Sequence, residues 1–273
     1  MQKNIFIIIP TYNEKENIQK LIEEIFSLKI NPVFSCEALN LTEKFSEPFI
    51  SHSKATEYSG KCGIKNLHIL IIDDNSPDKT GDIVEKLKLK YPLLYFIRRG
   101  KKLGLGSAYL AGFEFALNEK ADLIFQMDAD FSHNPKEIPN FIEQINNGFD
   151  VIIGSRRIKN GKIIGWGILR NLMSLWANLS SKWILKLKTR DLTSGFRCYK
   201  KEVLENLNLK KIKSNGYSFL EEIIYLCERK NFKIKEIPIV FLNRQKGKSK
   251  FSFKEIINFF LTLFRLKIKD LFL

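Results

Sequence analysis

Cysteine is scarce in this chain and poorly placed for structure-building. Cys36, Cys62, Cys198 and Cys227 lie far apart, and no Cys-x-x-Cys pair occurs. That spacing does not resemble a zinc site or a disulfide scaffold, and it points to a reducing compartment. Histidine is rarer still: His52, His68 and His133 are too dispersed for a Ser/His/Asp triad, and His68 sits inside a strand-like run. Long apolar runs are absent as well. The longest candidate, from Ile256 to Phe264, is stopped by Arg265, well short of the roughly 20 residues a spanning helix needs. The expectation is a protein that does not cross a membrane, though it can touch one. Met1-Gln2-Lys3-Asn4 leads straight into a strand-like segment without signal-peptide architecture. Acidic charge is in deficit, with 45 Lys and Arg against 30 Asp and Glu, a net +15. Such an excess favours a polyanionic partner (nucleic acid, an anionic membrane surface or phosphorylated substrates), or else it is only a set of solvated lysines.

What is present is an alternation of strand and helix patterns. Ile5 to Ile9 is apolar on both faces, as a central parallel strand must be, and Pro10 ends it. Ile18, Leu21, Ile22, Ile25 and Phe26 then recur at helical spacing. Leu67 to Ile72, Leu93 to Ile97, Leu123 to Met127 and Val151 to Ile153 read as further strands. Helices fall between them, one opening at Asn134-Pro135. Later come a long helical stretch from Trp166 to Leu187, a helix from Phe219 to Lys230 and a strand from Phe232 to Val240. This order specifies an α/β class with a mostly parallel central sheet flanked by helices. At 273 residues the chain can bury the core of one large domain, or of one domain plus an appendage.

Ligands of such sheets sit beyond the carboxyl ends of the strands. Thr11 to Glu14, Asp73 to Asp78, Asp128 to Asp130 and Gly154 to Arg157 are therefore expected on one rim. Asp128-Ala129-Asp130 closes a buried strand with two carboxylates. Hard oxygen donors in that number suit Mg²⁺ or Mn²⁺ sharing its shell with substrate phosphates. Asp73 and Asp74 would crowd one ion with charge, so contacts to base and ribose suit them better. Asp78 and Glu14 share the rim, and either could equally cap its helix. Arg156, Arg157, Arg170, Arg190, Arg197 and Arg244 read as a phosphate-binding set.

Pro10-Thr11-Tyr12-Asn13-Glu14, Asp73 to Asp78, and Asp128 to His133 together resemble family 2 glycosyltransferases of the GT-A (Rossmann-like) fold. Further on, Gly154-Ser155-Arg156, Gly165-Trp166-Gly167 with Arg170, Asp191 to Arg197, and Arg244 before Gly247-Lys248-Ser249-Lys250 narrow the likeness to dolichol-phosphate (polyprenol-phosphate) mannose synthases. The likeness implies that Pro10, Tyr12 and Glu14 line a nucleotide pocket, with Asp73 and Asp74 on base and ribose. It implies that Asp128 and Asp130 hold Mg²⁺ or Mn²⁺ and the nucleotide sugar, and that Arg156 and Arg170 receive a lipid phosphate. Asp130, Arg156 and Arg170 become the catalytic candidates, while Arg244 and Lys250 close over the donor phosphates. Lys79 stands where relatives often carry Gly, and Asn243 where an acidic residue is common.

The expected activity is inverting, metal-dependent transfer of mannose from GDP-mannose to dolichyl or polyprenyl phosphate, on the cytoplasmic face of a membrane. UDP-glucose and UDP-N-acetylglucosamine are the alternative donors, and a small membrane subunit is a further partner to test. A nucleic-acid-binding module is disfavoured, because no binding motif gathers the basic residues and the acidic rim would repel a phosphate backbone. A catalytically silent sugar-nucleotide-binding protein leaves the acidic pair and the arginines without a task. Residues 1–250 are expected to form the catalytic domain, with 31–66 as a polar insertion. Residues 251–273 are expected to form an amphipathic helix, lying in a membrane interface or packed on the sheet.

Overall fold

The computed structural model describes residues 3–28, 66–214, 216, 218–243 and 253–271. The expected insertion over 31–66, apart from Asn66, falls outside the described residues, as do Arg244 and Lys250. β1 (Ile5–Thr11) leads to α1 (Ile18–Ser27), whose Ile18, Leu21, Ile22 and Ile25 are all buried, the single apolar face its spacing predicts. β2 (Leu67–Asp73), α2 (Thr80–Lys88), β3 (Leu94–Arg98), α3 (Leu105–Asn118) and β4 (Leu123–Gln126) continue the alternation. α4 (Ile138–Asn146) follows a short turn in which the Asn134 side chain accepts from the Lys136 N–H at 3.1 Å, with Pro135 in the first helical turn.

After β5 (Val151–Ser155) the order changes. β6 (Lys162–Ile164) leaves the main sheet, and α5 (Ile168–Leu185) is the expected long helix, shorter by two residues at each end. β7 (Arg197–Lys200) was not anticipated. It runs antiparallel between β4 and β5, joined to them by two ladders. Four residues that begin at an arginine give too short a period for a strand to be read from sequence. α6 (Lys201–Asn206), α7 (Ser218–Arg229), β8 (Ile234–Pro238), β9 (Val240–Leu242) and α8 (Phe253–Leu271) complete the described elements. The expected strand from Phe232 to Val240 is thus two strands, because Pro238 ends the first and β9 crosses to pair with β6.

The main sheet has the order β3-β2-β1-β4-β7-β5-β8, and every pairing not made by β7 is parallel. Alternation along β1 splits the core between two layers. Ile5, Ile7 and Ile9 pack with α1, α2 and α4, while Phe6 and Ile8 pack with α3, α6 and α7. Each such buried side chain contributes roughly 1.5–3 kcal/mol. α3 lies so close to β1 that a Cβ on Gly112 would stand 2.5 Å from Ile8 Cγ2. Lys79, in the position where relatives favour glycine, holds a left-handed backbone at φ 70° just before α2. Asp78 caps that helix, accepting from the Thr80 N–H at 3.0 Å and hydroxyl at 2.6 Å, and it also accepts from the Lys15 N–H at 3.1 Å.

Replacing Gly112 by Ala forces that methyl group into the Ile8 side chain. The variant should lose about 1–3 kcal/mol of stability, as overpacked cores do. A thermal melt at the wild-type midpoint would show that α3 can move away from β1.

Candidate active site

The sheet order reverses between β1 and β4, which opens a crevice at their carboxyl ends. Ile8 stands opposite Gln126, so Pro10 and Asp128 leave the sheet at the same level. On the other side Thr11 is paired with Asp73. Ser155, at the end of β5, lies on the same rim because β5 runs parallel to β4 across the inverted β7. The rim expected from sequence is therefore assembled, but its carboxylates are of two kinds.

Asp73 and Asp74 are turned inward. Asp73 is buried and accepts from the Thr11 hydroxyl at 2.9 Å, the Ser76 hydroxyl at 2.5 Å and the Ser76 N–H at 2.9 Å. Asp74 pairs with the Arg99 guanidinium and takes the N–H groups of Leu103 (3.1 Å) and Gly104 (3.0 Å). Both oxygens of Asp74 are thus engaged within the protein, and its task here is to hold the loop before α3. Glu14 accepts from the Asn17 side chain at 3.0 Å, while its N–H donates to Thr80 at 2.9 Å. Pro10, Tyr12 and Glu14 are half-buried, and they do not line the cavity that Asp128 and Asp130 share.

Asp128 is partly exposed and Asp130 is buried. Both line a cavity of about 810 Å³, and the Asp128 side chain is 37% exposed. Asp130 accepts from the Ser132 N–H at 3.1 Å. His133 braces the pair from below. Its Nδ1 accepts the Asp128 N–H at 3.1 Å, which leaves the proton on Nε2, 3.8 Å from the Asp128 carboxylate. Burial lowers His133 below the usual imidazole value despite the raising influence of Asp128 and Asp130. Gly195 arrives from the β7 side, where a Cβ would lie 3.5 Å from both Asp128 oxygens. The space over the carboxylates is open because glycine stands there. Among the described residues no cluster of three or more His, Cys, Asp or Glu side chains could hold an ion. Two acidic oxygens and an open cradle fit a hard divalent cation whose shell is completed by phosphate oxygens.

The arginines also divide. Arg156 is buried against Asp191, donating from Nε (2.8 Å) and Nη2 (2.7 Å), and its N–H reaches the same carboxylate at 2.8 Å. Burial alone would raise Asp191, but Arg156, the hydrogen bonds and Arg157 together outweigh it and hold the carboxyl below its ordinary value. Arg170 lies 4.0 Å over the Trp166 ring and donates to Asn243 at 3.3 Å. Arg197 is a correction to the phosphate-binding set. It is fully buried and donates to the carbonyls of Leu192 (2.7 Å) and Leu220 (2.6 Å), so no phosphate can reach it. Its place at the start of an unforeseen strand is why the sequence misled. Asp191, Gly195 and Glu221 were given no role from sequence. The run Asp191-Leu192-Thr193-Ser194-Gly195 carried the signal, since a glycine beside small polar residues marks close approach.

The cavity is lined by Asp128 and Asp130, by Arg156, Arg170 and Trp166, and by apolar side chains of α5 and α8 that include Leu172, Met173, Trp176 and Phe260. Trp166, Ser174 and Glu221 line it, and the buried indole N–H of Trp166, Ser174 hydroxyl and one oxygen of Glu221 have no hydrogen-bond partner among the described residues. Burial pushes the Glu221 carboxyl well above its ordinary value, against the lowering influence of Ser181 and Arg197.

A doubly wound sheet with this acidic crevice defines a GT-A glycosyltransferase. A mannosyltransferase from Pyrobaculum calidifontis, solved with GDP-Man and Mn²⁺, shares the fold at a TM-score of 0.57 and 13% identity, over 98% of this chain and 65% of that one. The family model described as glycosyl transferase family 2 matches residues 54–207, and the chain belongs to that family. The polyprenol monophosphomannose synthase of Mycolicibacterium smegmatis is 33% identical over 90% of this chain and 80% of its own length. The undecaprenyl-phosphate mannosyltransferase of Micrococcus luteus is 37% identical over 67% of this chain and 75% of its own.

Substituting Asp191 by Asn leaves Arg156 buried without its counter-charge. The variant should be less stable by about 3 kcal/mol near neutral pH. Because the folded-state pKa of Asp191 is depressed, its contribution is complete above the ordinary aspartate value of about 3.9 and is lost as pH falls through the folded value. Denaturation of both proteins across pH 3–7 should show the gap shrinking at the acid end. A gap independent of pH would mean that the ion pair is not what the substitution removes.

Proposed function

We propose that the protein transfers mannose from GDP-mannose to a polyprenyl phosphate at the surface of a membrane. One observation carries this reading: one cavity is lined by the carboxylate pair, by two arginines and by apolar side chains of α5 and α8. A lipid-borne phosphate requires that set of environments. The apolar end would take the first isoprene units, Arg170 would meet the phosphate while Arg156, already held by Asp191, would add its charge from the wall, and Asp128 and Asp130 would face the donor diphosphate. Names of the relatives favour the same acceptor class.

The surroundings suit a membrane surface. Trp176 and Trp183 on α5 are 68% and 84% exposed, and Leu261 and Phe264 on α8 stand out beside them, while Leu263 and Leu266 pack inward. An apolar face this broad, on a chain of net charge +15, matches an anionic bilayer. Among the described residues no helix is long and apolar enough to cross one. Cys198 and Cys227 are free buried thiols, in keeping with the cytoplasmic side. The expected domain limits, 1–250 and 251–273, belong to this proposal.

The chemistry asks little of acid–base groups. A phosphate monoester has its second pKa near about 6, so the acceptor is largely a dianion at neutral pH. Its oxygen forms a bond to the anomeric carbon as the bond from that carbon to the diphosphate breaks, and the nucleoside diphosphate departs. No proton need move, which agrees with a site whose histidine is buried and neutral. In-line displacement inverts the anomeric centre. A divalent cation held by Asp128 and Asp130, Mg²⁺ or Mn²⁺, would supply charge to the departing diphosphate. The chain's own work is to position the acceptor phosphate through Arg170, whose plane is fixed on Trp166, and to exclude water with α5 and α8.

The reading is tested by transfer of labelled mannose from GDP-mannose into organic-extractable lipid, using the purified protein, polyprenyl phosphate and Mg²⁺ or Mn²⁺. Asp130→Asn should lower turnover by about 10²-fold or more. Labelling from UDP-glucose or UDP-N-acetylglucosamine instead would replace the donor, and no transfer from any of them would overturn the proposal. Arg170→Ala should raise the KM for polyprenyl phosphate by about tenfold or more, with the donor KM changed little. Equal effects on both would remove Arg170 from the acceptor side.

A further inference from the structure

β6 and β9 form a two-stranded sheet of their own, and the residue that follows β9 is Asn243. Its N–H donates to the Ile164 carbonyl at 2.8 Å, which carries the pairing one residue past β9. Its side chain makes two bonds of opposite kind. Nδ2 donates to the Gly165 carbonyl at 2.9 Å, and Oδ1 accepts from the Arg170 guanidinium at 3.3 Å. The approach to Gly165 is close: a Cβ there would stand 2.9 Å from the Asn243 Cβ, and Gly165 keeps φ at 85°. Asn243 is half-buried, and it lines the same cavity as Arg170, Trp166 and the carboxylate pair.

Arg170 is thus held at two places. Its guanidinium lies 4.0 Å from the centre of the Trp166 ring, and one Nη meets Asn243. Trp166 in turn stands edge-on to Phe241 of β9, with ring centres 5.4 Å apart. Phe241 is buried and meets the His133 ring at 5.6 Å. Phe241 and Asn243 are two residues apart, so one extended segment brings both to this wall. Only a side chain with a donor and an acceptor can bridge a carbonyl and a guanidinium. A carboxylate has no donor, and one of its oxygens would face the Gly165 carbonyl where the amide now donates. It would also set a negative charge beside Arg170. The sequence motif favours an acid at this position, and the chain carries an amide.

We propose that Asn243 is a positioning residue for the acceptor: it sets the Arg170 guanidinium on the cavity wall without adding negative charge, so that an incoming phosphate monoester meets a cation already oriented. The proposal rests on the acceptor role given to Arg170 above. Orienting the cation in advance lowers the ordering cost of binding, so the effect belongs to acceptor affinity. A carboxylate at position 243 would act in the opposite sense, competing with the phosphate for the same guanidinium.

The test is steady-state transfer by the purified full chain, with polyprenyl phosphate varied at saturating GDP-mannose and Mn²⁺. It compares wild type, Asn243→Ala, Asn243→Asp, Arg170→Ala and the double variant Asn243→Ala with Arg170→Ala. Asn243→Ala should raise the KM for polyprenyl phosphate about fivefold, while turnover at saturation and the donor KM stay within about twofold. In the Arg170→Ala background the same substitution should change the acceptor KM by less than about twofold, because it acts through Arg170. Asn243→Asp should raise the acceptor KM about tenfold or more, since its charge opposes the phosphate. Three results would each overturn the role of Asn243 and leave the acceptor reading intact: an unchanged acceptor KM in Asn243→Ala, an equal effect of that substitution in both backgrounds, or an acceptor KM in Asn243→Asp at or below the wild-type value. A wild type that transfers nothing to polyprenyl phosphate would overturn the acceptor reading and this proposal with it.

Discussion

Arg156 leaves the end of β5 and meets Asp191 through two guanidinium donors and its own N–H, almost wholly removed from water. Two charges in such a place persist only if they satisfy each other. Their pairing fixes the segment after Asp191, which Asn178 also grips by accepting the Leu192 N–H at 2.7 Å. The Ser194 hydroxyl then donates to the Gly154 carbonyl at 2.5 Å, stitching the same segment to β5. The next residue is Gly195, which leaves the Asp128 carboxylate open, and after it the chain enters the inverted strand β7. The geometry of the acidic pair therefore depends on an ion pair that does not belong to it.

A second buried pair, Asp74 with Arg99, does the equivalent work on the far side of the crevice. One pair shapes the wall toward the apolar groove and the other the wall toward Tyr12. Between them Asp128 and Asp130 are braced by a neutral histidine, whose burial keeps it from adding charge at working pH. Removing the proton from Nδ1 and accepting a main-chain N–H there leaves Nε2–H turned toward Asp128, a stable arrangement under a carboxylate. Hydrogen bonds and ion pairs thus hold Asp73, Asp74 and Asp191 within the protein, while Asp128 and Asp130 line the cavity.

The net charge of +15 acquires a meaning only beside the apolar surface. Positive charge alone would suit nucleic acid equally well. An exposed band of tryptophan, leucine and phenylalanine on α5 and α8, opening into the same cavity as the carboxylates, does not suit a phosphate backbone. In the proposed reading the charge draws the protein to an anionic bilayer, and the apolar band accepts the lipid.

Local pattern was enough for the α/β class, for the strands that end at Thr11, Asp73 and Gln126, and for the acidic rim, because buried parallel strands write themselves as apolar runs. The motifs around Asp128 and Asp130 also sufficed to indicate the family. What sequence could not settle was which polar residues of the rim face a ligand. Asp74, Asp128, Arg156 and Arg197 look alike as letters, yet one is closed by main-chain N–H groups, one lies partly exposed on the cavity, one is paired and one is sealed in the core. That difference arises from partners distant in the chain, such as Asp191 for Arg156 and the Leu220 carbonyl for Arg197. A charge is available to a substrate only when the fold has not already satisfied it, and that is decided by tertiary contact.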